Sequence, residues 1–278
     1  MSLIIGCLVC GIGGATTPLV VVSFNLRYGT ALDGENAWPK RRELMVETIR
    51  TMNPDIMGTQ ECLEFQAQYL AEAMPEYAWI GVGRETDGKG EMSALFYRKD
   101  ALTAEESGHY WLSETPEVHG SRSWNTSCTR MVTWARFRHA GTGAAFHVLN
   151  THFDHRSEEA RVQSARLIVQ RLLSLPREMP VILTGDFNAN AETSAAWKIL
   201  VQGGFKDACL LAGERLGPDV TFGGFKAPPD VKRQRIDWIL VRNAGSVQRY
   251  ETVTFNKDGR YPSDHYPVSA VILIPGTP

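Results

Sequence analysis

Several short apolar segments of this sequence end in carboxylate, carboxamide or imidazole side chains, the groups that bind metal ions and move protons. In the clearest case, the β-forming run 181–183 is followed by Asp186 and Asn188. The run predicts a buried strand that stops at Thr184 and Gly185. Because residues two apart in extended backbone point the same way, Asp186 and Asn188 are predicted to face one cleft. A simple turn explains this segment equally well, but the same ending recurs elsewhere in the chain.

The recurring polar ends make up one candidate site. Its members are Asn25, Glu61, His152, Asp186, Asn188, Asp237, Asp264 and His265. Oxygen ligands with few nitrogens and no cysteine favour Mg²⁺ or Mn²⁺ over Zn²⁺. Such an ion neutralises phosphoryl oxygens while a nearby carboxylate or imidazole activates water. Each residue alone has a structural explanation, such as a solvated strand end or a packed histidine. Their joint occurrence favours phosphate chemistry.

The elements that must position these residues are strands and helices in mixed order. Strands are predicted over 19–24, 55–61, 77–82, 93–97, 131–137, 145–150, 181–183, 235–241 and 268–274, and helices over 39–52, 64–74, 161–175 and 194–202. Ala140–Gly143 is a hairpin signal, so the sheets are not all parallel. The polar stretch Ser113–Thr129 is predicted to be a long functional loop. We expect an α/β fold in which two mixed, mostly antiparallel sheets pack face to face with helices outside.

Composition indicates one folded domain over residues 19–278. The chain has 278 residues, 43% of them hydrophobic, and contains no linker or fixed repeat. Its 29 Lys and Arg residues nearly balance its 31 Asp and Glu residues, which argues against a protein that grips long nucleic acid. A local basic patch of Lys232, Arg233 and Arg235 is compatible with this balance.

Residues 1–18 are predicted to be an apolar leader, either a signal or lipoprotein remnant or a loosely packed start. The segment lacks a basic amino-terminal region and is too short to span a bilayer as a helix. A signal would place the protein outside the cytoplasm or in the envelope, and otherwise it would be cytoplasmic. Cys62, Cys128 and Cys209 are predicted to be packing residues. The pair Cys7 and Cys10 lacks the second pair that a metal site would need.

The polar strand ends occur in blocks that resemble the metal-dependent endonuclease/exonuclease/phosphatase superfamily from about Leu19 to Ile274. The blocks are 23–25, 60–61, 150–152, 185–188, 235–237 and 263–265. The resemblance implies a four-layer α/β sandwich. It also implies that Glu61 is the principal metal ligand, with Asn25 and Asp264 close to the ion.

The same resemblance implies roles for the remaining residues. Asp186 would orient or deprotonate the attacking water, and Asn188 would hold that water or a phosphate oxygen. His265, paired with Asp237, would contact the scissile phosphate. His152 would stabilise transition-state oxygens. Segments around Trp38, Arg84, Trp111, His155 and Pro262 are similar to a bacterial branch of metal-dependent hydrolases.

The leading interpretation is a Mg²⁺- or Mn²⁺-dependent phosphoesterase that hydrolyses a phosphate mono- or diester of a small molecule such as a sugar phosphate. Arg130 is a candidate phosphate contact because its guanidinium binds phosphate bidentately. Trp111 and Phe222 are candidate substrate contacts in loops. The alternative is a nuclease, either a 3′–5′ exonuclease or an endonuclease, with the same chemistry. A non-catalytic binding protein is a third interpretation. It would require that some of the candidate site residues be missing, and none is. No prediction of oligomeric state follows from the sequence.

Overall fold

Thirteen strands and five α-helices make up the computed structural model, which describes residues 16–229 and 234–276. The strands are β1 Thr16–Asn25, β2 Ile56–Gln60, β3 Tyr77–Ile80, β4 Leu95–Arg98, β5 Leu102–Trp111, β6 Met131–His139, β7 Ala145–His152, β8 Val181–Asp186, β9 Lys206–Asp207, β10 Glu214–Leu216, β11 Asp237–Arg242, β12 Val247–Thr252 and β13 Val268–Pro275. The helices are α1 Trp38–Met52, α2 Glu64–Ala73, α3 Glu158–Leu172, α4 Ala195–Gln202 and α5 Ala208–Leu211.

The strands form two mixed sheets. One has the order β10-β12-β13-β1-β2-β4-β3, and the other has the order β5-β6-β7-β8-β11-β9. Most neighbouring strands are antiparallel, and the parallel pairs are β1 with β2, β7 with β8, and β10 with β12. Strands from both ends of the described chain pair directly, since β1 lies against β13.

The sheets pack face to face, and helices cover the outside. Residues such as Val21 and Ile182 belong to the core between the sheets, whereas Val22 and Leu183 pack outward. Helices α1 and α2 cover the first sheet, and α3 and α4 cover the second. Because central strands are buried on both faces, their sequences are continuous apolar runs rather than alternating ones. The expected four-layer α/β sandwich is confirmed.

Buried polar side chains join the two sheets near one edge. Asn150 on β7 donates from Nδ2 to the carbonyl oxygens of Thr59 (2.7 Å) and Ala94 (3.0 Å) in the other sheet, and its Oδ1 accepts from Gln60 (2.7 Å). A Cβ on Gly58 would lie 2.1 Å from Thr184 Oγ1 and 2.5 Å from Asn150 Oδ1. Only glycine therefore allows the sheets to approach this closely here.

Strand direction brings the polar ends to one edge. The carboxyl ends of the parallel strands β1 and β2 deliver Asn25 and, one residue beyond the strand, Glu61. The parallel strands β7 and β8 likewise end at His152 and Asp186, which are register partners.

Two antiparallel strands reach the same edge with their amino ends. Asp237 begins β11 and lies opposite Asp186. The segment that enters β13 carries Asp264 and His265, and Ser263 Oγ donates to the Asn25 carbonyl oxygen (2.7 Å).

The structure differs from the sequence expectations in several elements. Helix α3 begins at Glu158, three residues before the predicted start at Arg161, because the Ser157 hydroxyl accepts from the Ala160 N–H and caps it. Strands β5 and β12 were missed. Strand β5 carries adjacent glutamates and a glycine rather than an apolar run, which hides its β character.

The predicted loop over Ser113–Thr129 contains no helix or strand, and its last part is anchored by Asp154. This carboxylate accepts hydrogen bonds from Thr126 Oγ1 (2.9 Å), Ser127 N (2.8 Å) and Ser127 Oγ (2.6 Å) on the loop. Its other oxygen accepts from the N–H groups of Arg156 (2.9 Å) and Ser157 (2.7 Å). Although burial alone would raise the pKa of Asp154, these hydrogen bonds lower it well below its usual range.

Most of the leader assigned to residues 1–18, including Cys7 and Cys10, lies outside the described residues, as do Lys232 and Arg233. Thr16, Thr17 and Pro18 belong to β1. Arg235 is not part of a surface patch, because it is buried and paired with Asp207 (3.0 Å). Within 16–229 and 234–276, no helix has the length and apolar character of a membrane span.

Candidate active site

A cavity of about 500 Å³ opens at the edge where the polar strand ends meet. Its wall contains six of the predicted site residues: Glu61, His152, Asp186, Asn188, Asp264 and His265. It also contains Arg130 and Phe222, two of the three predicted substrate contacts. The remaining predicted site residues, Asn25, Asp237 and Trp111, lie behind this wall.

Two carboxylates, Glu61 and Asp264, form the acidic wall of the cavity. Glu61 adopts a left-handed backbone conformation (φ 54°) directly after β2, and its Oε2 accepts from the Tyr28 N–H (3.1 Å). Burial raises the pKa of Asp264, the positive charge of His265 lowers it, and the negative charge of Glu61 raises it. Arg27 compensates only partly, since its Nε lies 3.8 Å from Asp264 Oδ2 and it is bonded to Asp33. Two mutually repelling oxygen donors on one wall fit a hard divalent cation.

Asn25 is buried and bridges two acidic residues instead of facing the cavity. Its Nδ2 donates to Glu61 Oε1 (3.1 Å) and to Asp186 Oδ2 (3.0 Å), while its Oδ1 accepts from the Arg27 N–H (2.9 Å). Both Nδ2 hydrogens are thus used, and the amide oxygen accepts one hydrogen bond. The hydrogen bond to Glu61 places the Asn25 side chain beside the predicted ion site.

Asp186 and Asn188 both face the cavity, although not through the predicted extended backbone. Strand β8 continues through Asp186, and Asn188 has a left-handed conformation (φ 47°) that asparagine tolerates better than most residues. The Asn188 N–H donates to Asp186 Oδ1 (2.9 Å). Burial and the nearby charge of Asp237 raise the pKa of Asp186. A raised carboxyl pKa improves proton acceptance near neutral pH.

His265 is held by Asp237 at the centre of the site. Its Nδ1 donates to Asp237 Oδ2 (2.9 Å), and its Nε2 lies 3.7 Å from Asp186 Oδ2. Burial alone would lower the pKa of His265, but the carboxylates of Asp237 and Asp186 outweigh burial and raise it well above its usual value. The imidazole is therefore positively charged near neutral pH. These three side chains share protons through close contacts, although their atoms are also near enough to hold an ion.

His152 is neutral, in contrast with His265. Burial and the positive charges of Arg130, Arg84 and His265 lower its pKa well below the usual value. Asn188 Nδ2 donates to His152 Nε2 (3.0 Å) and to the Phe153 carbonyl oxygen (3.0 Å). These bonds fix the orientation of the Asn188 amide and leave its oxygen as the polar atom available to the cavity.

Arg130 adds a buried positive charge to the lining of the same cavity. The residue is only 5% exposed, and its Nη2 lies 3.2 Å from His155 Nδ1. Within the described part of the chain, its Nε and Nη1 have no hydrogen-bond partner and no carboxylate forms an ion pair with it. A buried guanidinium without a carboxylate is costly unless an anion binds it.

Arg84 and Glu91 lie beside Arg130, and sequence reasoning missed both as site residues. Arg84 forms a bidentate ion pair with Glu91 (2.7 and 2.9 Å), so its charge is compensated. Burial raises the pKa of Glu91 despite this pair. Arg84 had appeared only as a resemblance to a bacterial branch, and nothing in its spacing linked it to Glu91.

The two predicted aromatic substrate contacts differ in their exposure. Phe222 is 49% exposed at the cavity rim, with its ring edge-to-face with His265 at 5.1 Å between centroids. Trp111 is only 6% exposed, and its indole N–H donates to the Arg84 carbonyl oxygen (2.8 Å). Trp111 is not among the residues that line the cavity. Trp111 instead supports the backbone at Arg84.

Cys128 also corrects the sequence interpretation, because it lines the cavity and is not fully buried. Its thiol, Asp154 and His155 offer three atoms close enough for a metal ion. However, the Asp154 oxygens already accept hydrogen bonds, and His155 Nδ1 faces Arg130. This cluster is a poor cation site. Cys62 and Cys209 are buried packing residues, as predicted.

The fold and the site define a class of protein. A family model described as "Endonuclease/Exonuclease/phosphatase family" matches residues 22–265. The chain belongs to this family, and it is a phosphoesterase of that family.

Individual relatives are similar over nearly the whole structure. A family protein of Bacteroides thetaiotaomicron is 36% identical, with a TM-score of 0.87, over 94% of this chain and 99% of that one. A mannosyl-6-phosphatase from the same organism is 36% identical, with a TM-score of 0.84, over 91% and 99%. By sequence, an uncharacterized protein of Acanthamoeba polyphaga mimivirus is 28% identical over 55% of this chain. The match spans 60% of the length of that relative.

Proposed function

We propose that this chain is a Mg²⁺- or Mn²⁺-dependent phosphoesterase that hydrolyses the phosphate ester of a small molecule, with a sugar phosphate as the favoured substrate. The observation that carries the proposal is that one cavity is lined by groups of both charges. Glu61 and Asp264 repel each other there, and Arg130 is a buried cation that forms no ion pair among the described residues. A divalent cation and a phosphate group together would complement these charges.

The other side chains at this cavity suit hydrolysis of a phosphate ester. Asp186 orients the attacking water and accepts its proton, and Asn188 Oδ1 holds that water. The ester P–O bond to the alcohol breaks as the water oxygen bonds to phosphorus, and the departing alcohol takes its proton from solvent. Charged His265 donates from Nε2 to a phosphate oxygen, while Asp237 keeps it protonated. Arg130 binds another phosphate oxygen. His152 orients Asn188 in the same cavity. When bound by Glu61 and Asp264, the metal ion supplies Lewis-acid stabilisation of phosphoryl charge.

The preference for a small substrate rests on charge and on one relative. The chain is nearly balanced in charge, whereas proteins that grip long nucleic acids carry basic surfaces. The mannosyl-6-phosphatase aligns over 91% of this chain at 36% identity, so its class of substrate is the first to test.

A nuclease is the second candidate, and one observation favours it. Phe222 is exposed beside His265, where its ring could stack on a base adjacent to the scissile phosphate. Nucleic-acid binding would weaken steeply with salt, because it releases counterions. Turnover of a sugar phosphate would depend much less on salt.

The test is phosphate release from mannose 6-phosphate and other sugar phosphates, a bis-aryl phosphodiester and a single-stranded oligonucleotide. Each substrate is assayed with Mg²⁺, Mn²⁺ or EDTA. We expect metal-dependent release from sugar phosphates, with at least about a hundredfold loss in Glu61→Gln. Oligonucleotide shortening without release from small phosphates would replace the proposal with the nuclease.

A second readout separates loss of chemistry from loss of folding. Metal should raise the melting temperature of the wild-type protein but not that of Glu61→Gln, because a bound ligand stabilises only the state that binds it. Glu72→Gln, an exposed carboxylate on α2, is the matched control and should behave like wild type. If EDTA leaves both turnover and melting temperature unchanged, metal dependence is wrong.

A further inference from the structure

A second concavity adjoins the catalytic cavity and has no role in the chemistry above. It is a groove of about 520 Å³ between α2 and the glycine-rich segment 81–90. Phe65 and Trp79 provide its aromatic surface. Polar side chains of Glu64, Gln68 and Lys89 stand among its lining residues.

The groove and the catalytic cavity share their wall along the segment 83–91. Arg84 and Glu91 line the cavity, whereas Gly83, Gly88 and Lys89 line the groove. The Arg84 N–H donates to the Glu91 carbonyl oxygen (3.1 Å), and the Glu85 N–H donates to that of Lys89 (3.0 Å). A molecule that filled the groove would thus contact the same segment that holds the Arg84–Glu91 pair.

A second segment, 28–30, also connects the two concavities. Tyr28 lines the catalytic cavity, and Thr30 lines the groove. Between them, a Cβ on Gly29 would lie 2.6 Å from the ring of Phe65, so the ring rests directly on the glycine backbone. Phe65 stays 43% exposed in this position. The aromatic platform is therefore fixed at the boundary of the catalytic cavity.

The chemistry of the groove fits an uncharged ring with polar edges. Phe65 and Trp79 offer apolar faces, while Gln68, Thr30 and the backbone of the glycine-rich segment offer hydrogen-bond groups. The side chains of Lys89 and Glu64 bring one charge of each sign. A nucleic-acid strand would place further phosphates here and would require a basic lining. A sugar ring has an apolar face and a polar rim, and it carries no charge.

We propose that this groove is a subsite for a further sugar residue of a phosphorylated oligosaccharide, beyond the sugar that carries the scissile phosphate. The inference rests on the proposed phosphatase function and refines its substrate class. Binding energy from this remote ring would be used at the reacting phosphate, as is usual for groups distant from the chemistry. The enzyme should therefore prefer a phosphorylated disaccharide or trisaccharide to the monosaccharide phosphate.

The experiment compares kcat/KM for mannose 6-phosphate with kcat/KM for a mannose disaccharide phosphorylated at one 6-position. Wild type should prefer the disaccharide. Phe65→Ala should reduce the ratio of the two values about tenfold, which corresponds to 1.4 kcal/mol of lost binding. Gln68→Ala should reduce the ratio less, because it removes one polar contact at the rim. Leu173→Ala removes another exposed apolar side chain far from the groove and should leave the ratio unchanged.

Each outcome supports or overturns a defined statement. Equal kcat/KM for the two substrates in wild type, or the same ratio in Phe65→Ala and wild type, would overturn the subsite while leaving the phosphatase intact. Phosphate release from neither substrate, with folding confirmed by a cooperative thermal transition, would overturn the proposed function and the subsite with it. Preference for a dinucleotide over the disaccharide would assign the groove to a base instead.

Discussion

At the scale of single residues, the site holds two buried histidines in different protonation states. His265 touches Asp237 and lies near Asp186, so it is held protonated, whereas His152 faces Arg130 and Arg84 and is held neutral. The same burial acts on both imidazoles, and the neighbouring charges decide the result. One histidine can therefore donate to a phosphate oxygen while the other accepts from Asn188.

Replacing Asp237 should separate the effect of its charge on the pKa of His265 from the effect of burial. In Asp237→Asn the side chain keeps its shape but no longer raises the pKa of His265. Because the raised pKa keeps the imidazole protonated, its loss means that the proton leaves at lower pH. We expect kcat to fall about a hundredfold or more at neutral pH. The alkaline limb of the pH–rate profile should move to lower pH.

The control for this substitution is Asp100→Asn, an exposed carboxylate that pairs with Arg98 (2.8 Å). Its pH–rate profile should match that of wild type. An unchanged alkaline limb in Asp237→Asn would show that His265 does not act as a charged donor.

Substitutions of Arg130 should separate the contribution of its planar set of N–H donors from the contribution of its positive charge. Arg130→Lys keeps the positive charge but loses the planar geometry that suits phosphate. We expect KM for the phosphate ester to rise about tenfold, as for the loss of one charge-assisted hydrogen bond. Arg130→Gln should lose more, because its charge is gone. Steady-state kinetics on both variants tests this order, and equal KM values in all three proteins would remove Arg130 from the binding site.

At the scale of elements, a single carboxylate fixes the long irregular segment between β5 and β6 against β7 and α3. Asp154 holds the segment through Thr126 and Ser127, directly before Arg130 enters the cavity. The sequence predicted the loop from its lack of periodicity. Its anchor was hidden, because aspartate is equally common in solvated turns and its partners lie 27 and 28 positions away.

Substitution of this anchor gives a pH-dependent loss of stability. Because the folded-state pKa of Asp154 is lowered, its contribution is fully present above the unfolded value of about 3.9 and is lost as the pH falls through the folded value. Asp154→Asn should cost about 1–3 kcal/mol of unfolding free energy at pH 7. The difference from wild type should shrink below about pH 4.

Urea unfolding at several pH values measures this dependence. Glu114→Gln, an exposed position on the same loop, should unfold like wild type throughout. A difference between Asp154→Asn and wild type that stayed constant down to pH 3 would mean that the charge of Asp154 contributes nothing.

Local patterns predicted most of the elements. Helix α1 has Pro39 in its first turn and ends at Asn53, which adopts the left-handed conformation typical of helix ends, so both of its ends could be predicted. Strand β5 could not be predicted from the sequence, because its pairing with β6 stabilises residues that have little β character of their own. Short strands such as β9 exist only through their neighbours.

At the scale of the whole molecule, the two sheets meet through glycine and buried amides rather than through apolar packing alone. Gly58 lies against Thr184 and Asn150 of the opposite sheet, close to the catalytic edge. The relative position of the sheets fixes the distance between Glu61, which follows β2, and Asp186, which ends β8. Close packing of the two sheets at Gly58 is therefore also required for the site to assemble.

Gly58→Ala should therefore reduce both stability and activity. The added methyl group overlaps Thr184 Oγ1 and Asn150 Oδ1, so the sheets must separate or the amide network must break. We expect a cost of about 3 kcal/mol and a fall of about 5–10 °C in melting temperature. Gly141→Ala is the control, since its Cβ would meet only the side chain of His139, which can shift. A melting temperature within about 1 °C of wild type would contradict this account of the interface.

The sequence predicted which strand ends carry chemistry, because acidic and amide groups are unusual after apolar runs. It could not predict the hydrogen bonds and ion pairs that surround these strand-end residues. The bond between Asn25 and Asp186 spans 161 positions, and the Arg84–Glu91 pair lies in a segment without periodicity. The burial of Trp111 could not be predicted for a related reason, since an aromatic residue near a loop can face the interior or the solvent and only packing decides.

The pairing of β1 with β13 affects the order in which parts of the molecule fold. Ser263 and Asn25 are 238 positions apart, and Asp264 and His265 follow immediately. During synthesis, most of both sheets can collapse before these residues leave the ribosome, but the catalytic edge cannot close until β13 docks. Contacts between distant positions form slowly, because the intervening chain must first be ordered. Enzymatic turnover would therefore report completion of the last folding step.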